Sequence, residues 1–331
     1  MNNRPPVVAL IGAGGIASPH LAAWLALGAT VRIHSVEGAE RLAAGAARVE
    51  VAPDLEAALD GAEIADICTP TPSHPEVAAA AAGAGVHVVC EKPLALTAAA
   101  ADEMRRICAE AGVRLFPGHV VRFFPEYRAM RAHVASGALG PIAVQRFSRT
   151  GTRPAREWFY DTARSGGIVM DQMIHDLDFA RWTAGEVVRV HARAASGGPQ
   201  GVSSAQIVLT HDGGALSYVT GTWAAPGTAF RTTFEIAGPA GLVHHDSAAR
   251  AALRVDGGDA GASRGLLPAA AFGESPYLTE LRAFFEAVRG GPEPPVDAAD
   301  GVAAVRLGEA ANESLATGRA VELRPAGEVA E

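Results

Sequence analysis

Over the first third of the chain, apolar residues fall into short runs separated by helical spacing. Val7–Ile11 is a β-branched and aliphatic run that stops at Gly12, and a helical pattern then continues to Leu27. Further short runs at Thr30–His34, Val49–Val51, Ile64–Cys68, Val86–Cys90 and Val113–Phe116 predict strands. Between the last three lie two alanine-rich stretches, one opened by Ser73 and one by Thr97, both suited to cap a helix. Strand and helix in alternation predict an α/β Rossmann domain with a parallel, doubly wound sheet.

The rhythm changes after Gly118. A helix is predicted around Pro125–Ser136 and a strand near Ile142–Arg149, and Gly166-Gly167 opens a helix through Thr183. Five β-rich segments follow at Val187–Ala195, Ser203–Thr210, Ala215–Trp223, Thr232–Ala237 and Leu242–His245, with Gly and Asp at their ends. Short turns between strands favour an open, mostly antiparallel sheet in an α+β domain. Gly257–Gly265 reads as a mobile loop, and helices are expected at Tyr277–Val288 and Ala298–Thr317. A chain of 331 residues is too long for one comfortable core. The expected division is a nucleotide-binding domain over residues 1–120 and a substrate and oligomerisation domain over residues 121–331.

Composition narrows the partners. The net charge of −8 gives no surplus of cations for a nucleic-acid backbone. No apolar stretch is long enough to span a bilayer, and Val7–Ile11 is too short for a secretion signal. Three cysteines, Cys68, Cys90 and Cys108, form no disulfide framework and no zinc spacing, so reduced thiols in a cytoplasmic protein without a metal site are expected. Among 28 basic residues Lys92 is the only lysine. Against such an arginine bias, a surviving lysine is a candidate for work that needs a titratable amine.

Gly12-Ala13-Gly14-Gly15-Ile16-Ala17 stands between the first strand and the first helix, in the G-x-G-x-x-A arrangement. Gly12 permits the tight turn, Gly14 lets backbone approach a pyrophosphate, and Ala17 permits close helix–strand packing. Gly15 and Ile16 present amides at the helix start, where phosphates are held. An acid about 20 residues past the third small residue usually binds the ribose hydroxyls. Glu37 has that spacing, Ser35 ends the strand itself, and Arg41 nearby suits a 2′-phosphate. The expected cofactor is NAD, with NADP open.

These residues, with Thr69, Pro70 and His74, the run Val86-His87-Val88-Val89-Cys90-Glu91-Lys92-Pro93, and Asp171-Gln172-Met173-Ile174-His175-Asp176 after Gly166-Gly167, resemble the Gfo/Idh/MocA oxidoreductases. The likeness covers nearly the whole chain in order. It implies that Thr69, Pro70, His74, Glu91 and Lys92 border the dinucleotide. It implies that Lys92 also contacts a substrate hydroxyl beside the nicotinamide, and that Asp171 and His175 complete the catalytic set. It implies too a second-domain sheet used to build a homodimer or homotetramer.

The residues themselves support such chemistry. Asp171 and His175 are four apart and share a helix face. A carboxylate beside an imidazole raises its basicity and orients it. Alcohol oxidation needs a base for the hydroxyl proton. His175 is the preferred base, with Lys92 stabilising the alkoxide or relaying the proton. Either one of Asp176 and Asp178 binds substrate or backs the histidine, or both are merely solvated or capping. His119, Arg122, Trp158 and Asp161 are expected to contact substrate, with Arg122 and Tyr127 also suited to packing between domains and Trp158 to a core. His20 and His34 border the dinucleotide or are structural, and His191, His211, His244 and His245 are assigned no chemistry. The expected reaction is hydride transfer between a secondary alcohol of a sugar, polyol or cyclitol and nicotinamide. Two alternatives are an NAD-retaining, glycosidase-like enzyme and a non-catalytic nucleotide-binding regulator.

Overall fold

The computed structural model describes residues 5–197, 202–249, 253–256, 264–265 and 273–323. In chain order its elements begin β1 (Val7–Ile11), α1 (Ala17–Ala26), β2 (Thr30–His34), α2 (Ala39–Ala43), β3 (Val49–Val51), α3 (Leu55–Leu59) and β4 (Ile64–Ile67). They continue with α4 (His74–Gly83), β5 (His87–Glu91), α5 (Ala98–Glu110), β6 (Leu115–Gly118), α6 (Pro125–Ala135), β7 (Val144–Thr152), α7 (Thr162–Ser165) and α8 (Ile174–Ala184). Next come β8 (Val187–Ser196), β9 (Ser203–His211), β10 (Leu216–Ala224), β11 (Arg231–Gly238), β12 (Gly241–Asp246), β13 (Leu253–Asp256) and β14 (Arg264–Gly265). The last are α9 (Pro276–Val288), α10 (Ala298–Thr317) and β15 (Val321–Glu322).

The chain forms two compact units. The first contains Met1–Phe123 and Gly273–Val305. Its sheet has the order β3-β2-β1-β4-β5-β6, with every described pair parallel. Val8, Ala9 and Leu10 on β1 and Val88, Val89 and Cys90 on β5 are fully buried. That is why these strands read as unbroken apolar runs rather than alternating ones. Thr97 accepts a hydrogen bond from the Ala100 amide and caps α5, as expected. Ser73 does not cap α4: its hydroxyl contacts the Thr69 hydroxyl at 2.8 Å and the Pro70 carbonyl oxygen at 2.9 Å instead.

A single cut near residue 120 does not describe this unit, because α9 completes its core. Leu281 and Phe284 are fully buried in one cluster with Leu21, Trp24, Phe116 and Phe123. Phe284 stacks on Phe116 at 4.8 Å and meets Phe123 edge-on at 5.8 Å. Burying such a ring contributes about 1.5–3 kcal/mol, which sequence distance does not diminish. Nearby, the buried Arg122 guanidinium donates to the Asp300 carboxylate at 2.8 Å and to the Pro295 carbonyl at 2.6 Å.

The second unit contains Phe124–Phe272 and Arg306–Glu331. Its described strands form one sheet in the order β14-β13-β12-β11-β7-β10-β9-β8-β15. Only β7 and β10 pair in parallel, so the sheet is mostly antiparallel, as the turn spacing predicts. Alternate residues of β7, β10 and β11 point inward, and Phe147, Val219 and Phe234 bury one face. Tyr127, Phe179 and Phe234 form an aromatic nucleus there, with both partner rings 5.0 Å from Tyr127. Most of Gly257–Gly265 lies outside the described residues. All three cysteines are buried free thiols, and no described helix is long and apolar enough to cross a membrane.

Candidate active site

In the first unit, β1, β4 and β5 are sheet neighbours, and the glycine loop, Thr69-Pro70 and Lys92 leave their carboxyl ends. The strand order reverses between β1 and β4, which is where open α/β sheets bind ligands. Gly12 has φ +107°, and a Cβ there would lie 2.7 Å from the Cys68 carbonyl carbon and 2.9 Å from the Thr69 nitrogen. Any larger residue would force the two strand exits apart. Gly15 is exposed, with nothing within 4 Å of a Cβ position. Helix α1 then starts at Ile16 and the buried Ala17 with no side-chain cap. Its first amides therefore have the donors a pyrophosphate requires, and the loop fits a dinucleotide.

After β2, the Ser35 hydroxyl donates to the Glu37 carbonyl oxygen at 2.8 Å and shapes the turn that exposes the Glu37 side chain. Arg41 approaches the same turn, with its Nη2 2.8 Å from a Cβ position on Gly38. After β4, the buried His74 ring bridges two loops, with Nε2 2.8 Å from the Thr69 carbonyl oxygen and Nδ1 2.9 Å from that of Pro93. Burial lowers its basicity, although both carbonyls favour ring protons. His74 thus braces the Thr69-Pro70 loop against the Glu-Lys-Pro segment, whose Lys92–Pro93 bond is cis.

Glu91 is buried, and its two oxygens have separate partners. Oε2 accepts the Lys92 amide at 3.1 Å, and Oε1 lies 3.1 Å from Nε2 of His20. The other His20 nitrogen lies 2.8 Å from Asp66 Oδ2. Gly118, paired with Glu91 on β6, leaves the room this requires, since a Cβ there would fall 3.1 Å from Glu91 Oε1. Lys92 itself is half-buried. The sequence reading missed Asp66 altogether and left His20 undecided. A carboxylate inside the apolar run Ile64–Ile67 was the available signal, because a buried charge demands a partner.

In the second unit, Asp171 lies in a π-helical turn, Val169–Met173, that runs directly into α8. Such turns recur at functional sites. Asp171 and His175 are half-buried, whereas Gln172, Met173, Ile174 and Asp176 are buried, so the two share the open side of the segment. The buried side is pinned to β7. Gln172 Nε2 donates to the Arg149 carbonyl oxygen at 2.6 Å, and Arg149 donates to both Asp176 oxygens at 2.8 and 3.1 Å. Each pin follows a candidate catalytic residue by one position. Asp176 and Asp178 are both buried, which overturns their reading as solvated or capping groups.

The remaining expected contacts are dispersed. His119 is buried just past β6. Arg122 is fully buried and spent on Asp300 and Pro295, a packing tie inside the first unit rather than a ligand contact. Tyr127 belongs to the aromatic core of the second unit. Trp158 is half-buried in a 3-10 turn against Phe159, with ring centroids 4.0 Å apart. Asp161 caps α7 by accepting the Ala163 amide at 3.0 Å. His211 and His245 have hydrogen bonds to Gly185 and Ser217 and to Thr232 respectively, which are structural uses.

Comparison with known proteins places this geometry. Residues 7–119 match the family model described as the oxidoreductase family, NAD-binding Rossmann fold, and residues 127–244 match that of the GFO/IDH/MocA C-terminal domain. The chain is 33% identical to myo-inositol 2-dehydrogenase of Thermotoga maritima over 78% of each chain. It is 32% identical to D-apiose dehydrogenase of Paraburkholderia graminis, covering 96% of this chain and 89% of that one. Among solved structures it resembles levoglucosan dehydrogenase in complex with NADH and levoglucosan, with a TM-score of 0.84 at 25% identity, covering 97% of this chain and 100% of that one.

Proposed function

The chain belongs to the Gfo/Idh/MocA oxidoreductases and carries their NAD-binding Rossmann fold, and from that premise we propose how it works as a dehydrogenase acting on CH–OH groups. Its substrate is a secondary alcohol of a sugar, polyol or cyclitol. The observation that carries this reading is the sole lysine, Lys92, leaving the carboxyl end of β5 two strands from the glycine loop on β1.

Gly12, Gly14, Gly15 and Ile16 hold the pyrophosphate. Ser35 and Glu37 take the adenosine ribose, which favours NAD over NADP. Thr69, Pro70, His74 and Glu91 shape the nicotinamide end. When bound, NAD would supply the hydride acceptor for oxidation of the carbinol carbon. Lys92 donates a hydrogen bond to the substrate oxygen and favours its alkoxide character. His175, as a neutral imidazole, accepts the hydroxyl proton, and Asp171 orients the ring and favours the imidazolium once it forms. In the reverse direction the same groups return the proton to a ketone.

The relatives named above are dehydrogenases, so neither the glycosidase-like nor the regulatory alternative is favoured. The test is nicotinamide reduction by the purified protein, with NAD and NADP separately, against myo-inositol, apiose, levoglucosan and related polyols. Substrate-dependent absorbance of reduced nicotinamide is expected, with NAD preferred. Turnover of none of them by protein that binds NADH would overturn the substrate class. His175→Ala should abolish oxidation, and an unaltered rate would remove His175 as the base. Buried free thiols support a cytoplasmic setting, and the exposed face of the second-unit sheet, with Tyr218 and Arg146, supports a homodimer or homotetramer. Light scattering of the purified protein decides the latter.

A further inference from the structure

Behind the Lys92 segment lies a buried polar chain that an NAD fold does not require. His20 stands in the first turns of α1 and is fully enclosed, as is Asp66 on β4. Asp66 receives the Trp24 indole N–H at 2.6 Å as well as the His20 ring. The opposite ring nitrogen faces Glu91, and Glu91 holds the Lys92 amide. A neutral imidazole has one N–H, yet here each ring nitrogen faces a carboxylate oxygen. With both carboxyls ionised, both are satisfied only by an imidazolium.

Other titratable groups surround the ring. Cys68 follows β4, and burial and Asp66 push its thiol up to about 12. From α9, Tyr277 lies 5.6 Å from the ring. Glu280, fully buried on the same helix, has no hydrogen-bond partner among the described residues, and burial together with Glu91 holds its carboxyl well above the usual carboxylate range. The carboxyls in direct contact with the ring are those of Asp66 and Glu91. Burial is the largest influence and opposes the His20 cation, but Asp66 and Cys68 together outweigh it and raise the imidazole's basicity. His20, Asp66 and Cys68 also bring three donor atoms within 4.8 Å of one another. A metal ion there would have to displace the ring proton that Asp66 already holds.

We propose that His20 is a positioning residue for Lys92: a charged imidazole, anchored by Asp66, that fixes the Glu91 carboxylate and through it the main chain from which the Lys92 amine extends. This rests on Lys92 being the amine that meets the substrate, but its structural half is testable without any substrate. Asn and Gln replace the two ring nitrogens selectively. His20→Asn keeps a donor toward Asp66 and abandons Glu91, whereas His20→Gln keeps a donor toward Glu91. Because Lys92 is the sole lysine, amine modification followed by peptide mass spectrometry reads one side chain only.

The experiment compares wild type and both variants for NADH binding, for Lys92 modification rate against pH, and for kcat and KM with myo-inositol and NAD. His20→Asn should shift the modification profile and lower kcat about tenfold or more, with KM for NAD within about twofold. His20→Gln should recover most of both losses. Equal behaviour of the variants, or wild-type modification in each, overturns the proposal. If myo-inositol is not turned over while the modification profiles separate as expected, the substrate class fails and the positioning role stands. Should His20→Asn not fold, nitrogen NMR of the wild-type ring decides. Both ring nitrogens should remain protonated as the pH rises past about 6.5, the ordinary imidazole value, and a ring that turns neutral at or below it refutes the cation.

Discussion

Replacing Arg149 by Met tests how the Asp171–His175 segment is held. Arg149 and Asp176 are 6% and 2% exposed at their side chains and share two hydrogen bonds, with the Tyr127 hydroxyl 3.3 Å from the guanidinium. Burial is the largest influence and works against the charge on Arg149, but Asp176 together with Tyr127 more than restores it and raises its basicity above the ordinary value. Removing one member leaves a buried carboxylate without its counter-charge, a loss of about 3–5 kcal/mol, or roughly two to four orders of magnitude in the folding equilibrium. Removing both, as Arg149→Met with Asp176→Leu, should restore much of that stability, because desolvation of the pair disappears with its attraction. The assay is a double-mutant cycle from urea unfolding, followed on the second unit, with kcat measured in parallel. Coupling of at least about 2 kcal/mol is expected. The single variant should also lower kcat about tenfold or more, since the turn carrying Asp171 loses its tie one residue after His175. A loss below about 1 kcal/mol for Arg149→Met, or negligible coupling, would refute the reasoning.

Three further outcomes are expected. Gly221→Ala places a Cβ against Met173 Cγ and 2.7 Å from its Sδ, behind the π-turn, and should cost about 1–3 kcal/mol. Gly308→Ala meets only the flexible end of Met170, 2.5 Å at Sδ, and gains helix propensity, so its melting temperature should change far less; equal losses would refute this contrast. Lys92→Arg should leave the melting temperature unaltered but reduce kcat/KM about a hundredfold, because a guanidinium is larger and does not titrate; undiminished turnover would reduce the lone lysine to compositional accident. For pH, His20 is raised in the fold, so its contribution is complete below about 6.5 and is lost as pH rises through the folded value. Glu91 is lowered, so its contribution holds above about 4.5 and fades as pH falls through its folded value. Stability should therefore peak from about pH 5 to 7 and decline on the alkaline side, and urea midpoints of His20→Gln should lack that alkaline decline.

The sheets were legible because their signal is local. Short apolar runs, buried on both faces, marked the parallel strands, and β-rich segments between Gly and Asp turns marked β8 to β12. The edges were less so: β6 extends through Pro117 and Gly118, residues that read as a stop, because an edge strand tolerates a missing amide. The glycine loop and Lys92 stood out by spacing and rarity. Nothing in the spacing of Asp171 and His175 announced a π-turn, behind which Gly221 and Gly308 leave room for the Met173 and Met170 side chains. The supporting groups were hidden for a different reason. His20 meets partners 46 and 71 positions away, and Arg149 meets one 27 away, so each looks like an ordinary residue until the fold closes. Arg122 drew attention as a charge near the predicted site, yet its partner Asp300 lies 178 positions on.

The return of residues 273–305 to the first unit bears on how the protein is made. A ribosome releases the glycine loop, Trp24 and Phe116 early, but Leu281 and Phe284, which pack with those two rings, emerge only after β7 to β14 of the second sheet. For most of synthesis the nascent first unit must expose an aromatic surface, the kind of surface that aggregates or recruits chaperones. Fragments ending near residue 120 should inherit that surface permanently. A nucleotide-binding half excised for engineering needs the late helix supplied with it, and a stop codon before residue 273 should damage cofactor binding although every glycine-loop residue has been translated.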